Sequence, residues 1–188
     1  PSAQRLTGPR QPIFKSFAPL FRNQTFVLYL LIQTFAMGVM FSYIASSPFI
    51  FQNAYGISPL GYSLIFGLNA IGIMCGGLLA PHCGHPEVAV KRGIRGFCTM
   101  GIILAGFLIA ELSIVWVETA LFLTLVLMGI ILPTSTSLAM DCERERAGKA
   151  SALLGALQFL LGGLLSPIAG LGNIFIPTAL LILGCALC

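Results

Sequence analysis

The chain has 188 residues, of which 57% are hydrophobic and only 9% are charged, and its net charge is +4. A soluble domain carries about 25% charged residues, so this composition excludes a soluble globular protein and indicates that lipid surrounds much of the chain. We expect an all-α membrane protein that contacts the lipid bilayer, binds no nucleic acid and carries no cofactor.

Residues 1–25 combine basic side chains with several prolines and predict a linker, whereas residues 26–188 predict a membrane-spanning region. Long uncharged stretches alternate there with short charged segments, which is typical of transmembrane helices of about 20 residues. Because the chain starts without Met and stops inside an apolar run, we expect a piece of a longer protein. The predicted helices cover 26–52, 59–82, 95–113, 116–139, 149–171 and a truncated 174–188.

The basic residues fall into three groups, which precede the first, third and fifth predicted helices. If the helices alternate in direction, all three groups lie on the same side of the membrane. The positive-inside rule makes this side the cytoplasm, so the amino end is predicted to be cytoplasmic. The ten residues are Arg5, Arg10, Lys15, Arg22, Lys91, Arg92, Arg95, Arg144, Arg146 and Lys149.

A short motif, GGLLxPxxG, occurs at 76–84 in the second helix and again at 162–170 in the fifth. The two copies lie three helices apart in the chain, so they cross the membrane in opposite directions. This arrangement predicts six helices built as a 3+3 inverted repeat, as in each half of a major facilitator transporter. Chance matching between two helices rich in Gly and Leu is the alternative.

Small residues and prolines mark positions where helices pack closely or bend. We predict gating or packing roles for Pro48, Gly76, Pro81, Pro133, Gly155, Gly162 and Pro167. The Thr and Ser residues at 134–137 are expected to bond to carbonyls freed by Pro133. Ordinary helix distortion and close packing are the alternatives to a gating role.

Uncharged polar groups inside the predicted helices are the candidates for a binding cavity. Gln33 and Met37 share one face of the first helix, Asn69 lies near the middle of the second, and Gln158 lies on the fifth. A seam between helices is the alternative for each. His82 and His85 have no partners at metal-site spacing, and the sequence shows no nucleophile–base pair, so we expect neither a metal site nor an enzyme.

Three stretches carry a resemblance to a known family: YIASSPFI at 43–50, FGLNA at 66–70 and AGKASALLGALQF at 147–159. With them the chain resembles the carboxy-terminal half of the bicyclomycin-resistance (Bcr/CflA) drug-efflux branch of the major facilitator superfamily. One departure is the segment PHCGH at 81–85, where the family carries basic residues directly at the helix end.

The resemblance implies half of a twelve-helix transporter of the bacterial inner membrane, with a small drug-like substrate bound between two halves. It implies exchange of drug for protons by alternating access, and an amino-terminal half as partner. The residues it implies as cavity lining are Gln33, Met37, Tyr43, Asn69 and Gln158. Glu111 and Glu118 lie at predicted helix ends, so we expect both at the membrane interface and the proton site in the missing half.

Two other functions fit the same pattern. One is a major facilitator transporter for sugars, nucleosides or metabolites. The other is a self-contained six-helix channel or assembly subunit.

Overall fold

The computed structural model describes residues 13–169 and 175–187, and every regular element in these residues is helical. A π-helical turn, Phe49–Ala54, continues α2, and short 3-10 turns follow α3 and α5 at Ala80–Cys83 and Arg144–Arg146. The helices are α1 Ile13–Arg22, α2 Gln24–Pro48, α3 Pro59–Leu79, α4 Pro86–Ile109, α5 Ile114–Cys142, α6 Ala147–Ala169 and α7 Phe175–Leu187.

Five of these helices are long and apolar enough to cross a membrane, and α7 is a shorter apolar helix. They expose large apolar side chains that only lipid or another protein can cover; Leu60 on α3 and Phe159 on α6, for example, are 72% and 68% exposed. The prediction of an all-α membrane fold is therefore confirmed. The predicted linker also contains a helix, α1, whose Leu20 is fully buried against α2 and α6.

The predicted start of the third helix, near 95, is wrong, because α4 begins at Pro86. Proline is favoured at the first position of a helix, where its missing N–H costs nothing. Glu87 and Arg95 lie on an exposed face of α4, while Ala89 and Phe97 are buried on the other. The charged side chains thus mark one face of the helix and not the turn before it.

The helices alternate in direction, and the basic residues from Arg22 onwards lie towards one end of the bundle, which we call the basic end. Asn23 joins the start of α2 to the turn after α5 there, since its Nδ2 donates to Glu143 Oε1 at 2.9 Å. At the opposite, far end, Tyr55 Oη donates to the Leu112 carbonyl at 2.5 Å. Burial, and behind it the charge of Glu111, raises the pKa of Tyr55.

Asn23 holds the basic end together in a second way, because its Oδ1 caps α2 by accepting from the Phe26 N–H at 3.2 Å. Asn23→Ala should lower the thermal midpoint of the purified protein in detergent. Losing an N-cap costs about 1 kcal/mol, and leaving the buried Glu143 carboxylate short of a donor costs roughly 1–3 kcal/mol.

Asp141→Ala is the matched control, because the Asp141–Arg144 pair, at 2.9 Å, is exposed and should contribute little. An equal loss in both variants would contradict the role given to Asn23.

The packing of the helices follows an internal two-fold pattern. The main packed pairs are α3 with α5, α2 with α6, α4 with α5, α2 with α7, α2 with α5 and α4 with α7. Exchanging the first three spanning helices, α2–α4, for the last three, α5–α7, turns four of these pairs into one another and leaves α2–α5 and α4–α7 unchanged. Such a pattern is what an inverted repeat of three helices requires.

Each copy of the GGLLxPxxG motif places its first glycine at a helix crossing. Gly76 of α3 lies against the backbone of α5 at Val126 and Gly129, and a Cβ on either glycine would overlap backbone atoms of the other helix. Gly162 of α6 lies under the ring of Phe41 on α2. Glycine lets helices approach this closely. In a membrane the hydrophobic effect does not drive helices together, so their association depends on the close packing that small residues allow.

Candidate functional site

A groove runs between α2 and α3, with a cavity of about 260 Å³. Its walls are apolar except for one amide and one phenol, which is typical of sites that accept amphipathic small molecules. The backbones of the two helices approach most closely at the π turn and stand apart elsewhere, so side chains form the walls. The lining residues are Met40, Tyr43, Ile44, Phe66, Asn69, Ala70 and Ile73.

Two hydrogen bonds bridge the helices along this groove, and we call them the polar seam. Asn69 Nδ2 donates to Tyr43 Oη at 3.2 Å, and a second bond joins Ser47 Oγ and Tyr62 Oη at 3.0 Å. The Phe66 ring stacks on Tyr43, with centroids 5.8 Å apart and planes 18° apart. Each interhelical bond contributes roughly 0.6–2 kcal/mol in a membrane, so the polar seam holds the groove only moderately.

Glu118 lies one turn inside α5, and its carboxyl group is turned into the bundle beside the polar seam. Both carboxylate oxygens are buried and neither accepts a hydrogen bond from a described residue, although the Asn69 side chain lies nearby. The Asn69 Oδ1 atom is also buried without a donor. Glu118, predicted at the membrane interface, therefore turns its carboxyl group away from the surface of the bundle.

The position of Glu118 sets two electrostatic effects against each other. The amino end of α5 favours a negative charge by about 0.3–1 kcal/mol. Burial of a carboxylate without a partner costs several kcal/mol. The second effect is larger, so the ionised carboxylate is a high-energy state of this structure.

A pattern in the sequence could have located Glu118. Phe122, Val126 and Gly129 follow it at helical spacing on α5. These three residues contact α3 at Gly72 and Gly76. A carboxylate on the same stripe as a glycine crossing points towards the partner helix and away from lipid.

The structure brings together two of the five predicted lining residues, Tyr43 and Asn69. Gln33 and Met37 lie on α2 nearer the basic end; Gln33 is buried with its Oε1 unpaired, and Met37 is half-buried. Gln158 is half-buried on α6, which packs on α2 and not on α3. No contact is described between Gln158 and the polar seam.

The predicted gating and packing residues differ in their surroundings. Pro48 cannot donate to the Ile44 carbonyl, and Ser47 Oγ donates to that carbonyl instead, at 3.3 Å. Pro81 lies in the 3-10 turn after α3, and Pro167 lies in the last turn of α6. Among the described residues nothing lies within 4 Å of a Cβ built on Gly155, so this glycine makes no close crossing here.

The hydroxyl groups that follow Pro133 do not bond as predicted. The proline frees the carbonyl of Gly129, four residues earlier. Thr134 Oγ1 donates to the Ile130 carbonyl at 2.6 Å, and Thr136 Oγ1 donates to the Leu132 carbonyl at 2.7 Å. Both hydroxyls bond within their own helical turn, so the expected repair of the freed carbonyl is wrong for these side chains.

Residues 1–167 match the family model described as Major Facilitator Superfamily. The chain belongs to the major facilitator superfamily. Proteins of this superfamily are transporters and in general not enzymes. A major facilitator chain with this many spans is a multi-pass membrane protein, which agrees with the predicted class.

Two major facilitator relatives extend the comparison. An uncharacterized MFS-type transporter, YdgK, from Bacillus subtilis is 28% identical over 176 residues, which cover 92% of this chain and 44% of YdgK. A chloramphenicol resistance protein from Pseudomonas aeruginosa is 27% identical over 147 residues, which cover 74% of this chain and 33% of that protein. The chain thus spans less than half the length of either relative. No solved structure matches it.

Proposed function

We propose that this major facilitator chain is the carboxy-terminal half of a twelve-helix transporter that exports amphipathic drugs in exchange for protons. In this proposal the α2–α3 groove is part of the drug site, and an amino-terminal half covers the exposed faces of α3 and α6. The basic end lies in the cytoplasm, as the positive-inside rule predicts. The membrane is the bacterial inner membrane.

The chemistry of the groove carries the proposal. Its walls are aliphatic and aromatic side chains with one amide and one phenol. A sugar or nucleoside site needs several hydrogen-bond partners for the hydroxyl groups of its ligand, because each buried hydroxyl left unpaired costs free energy. This groove offers few, so it suits an apolar ligand with one or two polar groups. The relative named for chloramphenicol resistance supports the same substrate class.

The test uses the full-length gene that encodes this chain, expressed in a bacterial host whose own efflux pumps have been deleted. We expect raised resistance to chloramphenicol and to other amphipathic drugs. In inside-out vesicles, drug uptake should require a vesicle interior more acidic than the medium, and a protonophore should abolish it. Growth on, or uptake of, a sugar or nucleoside without any drug efflux would overturn the proposal.

Gln158 tests whether α6 contributes to the same cavity. Gln158→Ala in the full-length transporter should change the pattern of drug resistance and leave the amount of protein in the membrane unchanged. The reason is that a half-buried amide can hydrogen-bond only those drugs that present a matching group. Resistance is measured drug by drug, with membrane expression determined by immunoblot.

Gly163→Ala, five residues further along α6, is the control for Gln158, because a Cβ there meets no described atom within 4 Å. Unchanged resistance of Gln158→Ala to every exported drug would remove Gln158 from the cavity.

A further inference from the structure

We propose that Glu118 is a proton-binding site in this half of the protein, coupled to the drug groove through Asn69 and Tyr43. The inference rests on the proposed function for its role in transport, but proton binding at Glu118 stands or fails separately.

The first argument is the state of the carboxyl group. Both oxygens of Glu118 are buried among described residues of this half alone, and no donor reaches them. A carboxylate accepts hydrogen bonds only, whereas a protonated carboxyl group also donates one. Taking up one proton from water removes the buried charge and supplies a donor to a site that lacks donors.

The second argument is that a matching acceptor is present. Asn69 Oδ1 is buried without a donor, while Asn69 Nδ2 donates to Tyr43 Oη. The side chains of Asn69 and Tyr43 are the polar groups that lie near Glu118. A protonated Glu118 can donate the hydrogen bond that Asn69 Oδ1 lacks, which the ionised form cannot do, and buried polar networks are stable only when their members are paired.

The third argument is the absence of a competing charge in the described part of the chain. Tyr43 on α2, with Tyr62 beyond it on α3, is the ionisable group that faces Glu118 from the helices packed on α5. The other described ionisable residues of the segments packed on α5 lie in the halves towards the basic end or, for Cys98, at the middle of α4: Tyr29, Cys75, His82, Cys83, Glu87, Lys91, Arg92, Arg95, Cys98 and Lys149. With no cation to neutralise it, Glu118 changes its charge by gaining or losing a proton.

The coupling to substrate follows from the shared amide. Asn69 lies between the groove and Glu118, and because it is only 1% exposed, a drug reaches its amide only when the groove opens. A drug that hydrogen-bonds to Asn69 competes with the protonated carboxyl group for the same atoms. The proton then leaves the Glu118 oxygen for water, the ionised carboxylate remains, and drug and proton exclude each other, as exchange transport requires.

Infrared difference spectroscopy of the purified full-length protein, titrated with acid in H₂O and D₂O without any drug, tests proton binding. We expect the carbonyl band of a protonated, buried carboxylic acid in the wild type. The band should be lost in Glu118→Gln, shifted in Glu118→Asp, and retained in Glu111→Gln, whose carboxyl group is exposed at the far end. An unchanged band and titration in Glu118→Gln would overturn the proposal, as would a wild type with no such band.

A second measurement separates this proposal from the proposed function. In proteoliposomes, Glu118→Gln should still exchange chloramphenicol for chloramphenicol but lose proton movement coupled to the drug, read with a pH-sensitive dye. Proton coupling that persists in Glu118→Gln counts against the site. If the wild type does not move chloramphenicol at all, the drug-efflux proposal fails, and the infrared titration alone decides whether Glu118 binds the proton.

Discussion

Replacement of Gly76 by alanine is expected to cost the protein its stable fold in the membrane. The added Cβ would overlap the carbonyl oxygen of Val126. This oxygen belongs to the backbone of α5, so it cannot move aside by a change of rotamer. In an ordinary helix interior the same change stabilises by about 1 kcal/mol. Overpacking in a tight core costs about 1–3 kcal/mol or more, and here it would force two backbones apart, so we expect the sign to reverse.

Gly77→Ala is the matched control for this prediction. It makes the same chemical change at the next position, where a Cβ would come no closer than 3.8 Å to the Gly129 carbonyl. Both variants are expressed as fluorescent fusions, and folded yield and thermal midpoint are measured by size-exclusion chromatography in detergent. A Gly76→Ala protein as stable as Gly77→Ala would show that α3 and α5 do not cross as described.

Asn69→Leu is expected to abolish drug resistance while the protein still reaches the membrane folded. Asn69 is only 1% exposed; its amide donates to Tyr43 across the groove and lies near the Glu118 carboxyl group. Leucine has a similar volume and suits the apolar wall. The lost hydrogen bond is worth only roughly 0.6–2 kcal/mol, which is too little to unfold the bundle.

The measurement compares resistance to each drug that the wild type exports with the amount of folded protein in the membrane. Ser63→Ala is the control on the same helix, because the Ser63 hydroxyl is exposed and donates only to the Pro59 carbonyl of its own turn, at 2.9 Å. Wild-type resistance in Asn69→Leu would exclude this groove as the drug site. Loss of folded protein would contradict the view that Asn69 serves function more than stability.

The helices were predictable because lipid imposes long uncharged stretches, and only one boundary, the start of α4, is far from its predicted place. That error has a simple cause: an amphipathic helix end can carry charges on one face while its other face is buried. The meeting of Tyr43 with Asn69 could not be read from the sequence. Periodicity tells which residues share a face, but the register between two helices depends on where their backbones cross.

Glu118 shows a different limit of sequence reasoning. A charge near the end of an apolar stretch is usually interfacial, and the first-turn position of Glu118 on the predicted helix favoured that interpretation. Its orientation depends on the glycine crossing of α3 with α5, which turns one stripe of α5 inwards. Composition and hydropathy carry no information about that rotation.

The glycine crossing has a mechanical consequence for α3. Its buried residues, Asn69, Gly72 and Gly76, all lie in the half towards the basic end, and the far half, from Pro59 to Leu68, buries none. The far half is held to α2 by side-chain pairs alone, so α3 is fixed at the glycine crossing and free to move at its far end. Breaking the two hydrogen bonds of the polar seam would let the far end of α3 move outwards about the glycine crossing and widen the groove. Two such bonds contribute together roughly 1–4 kcal/mol, so the open state would be a minor population, which a ligand that binds it better would increase.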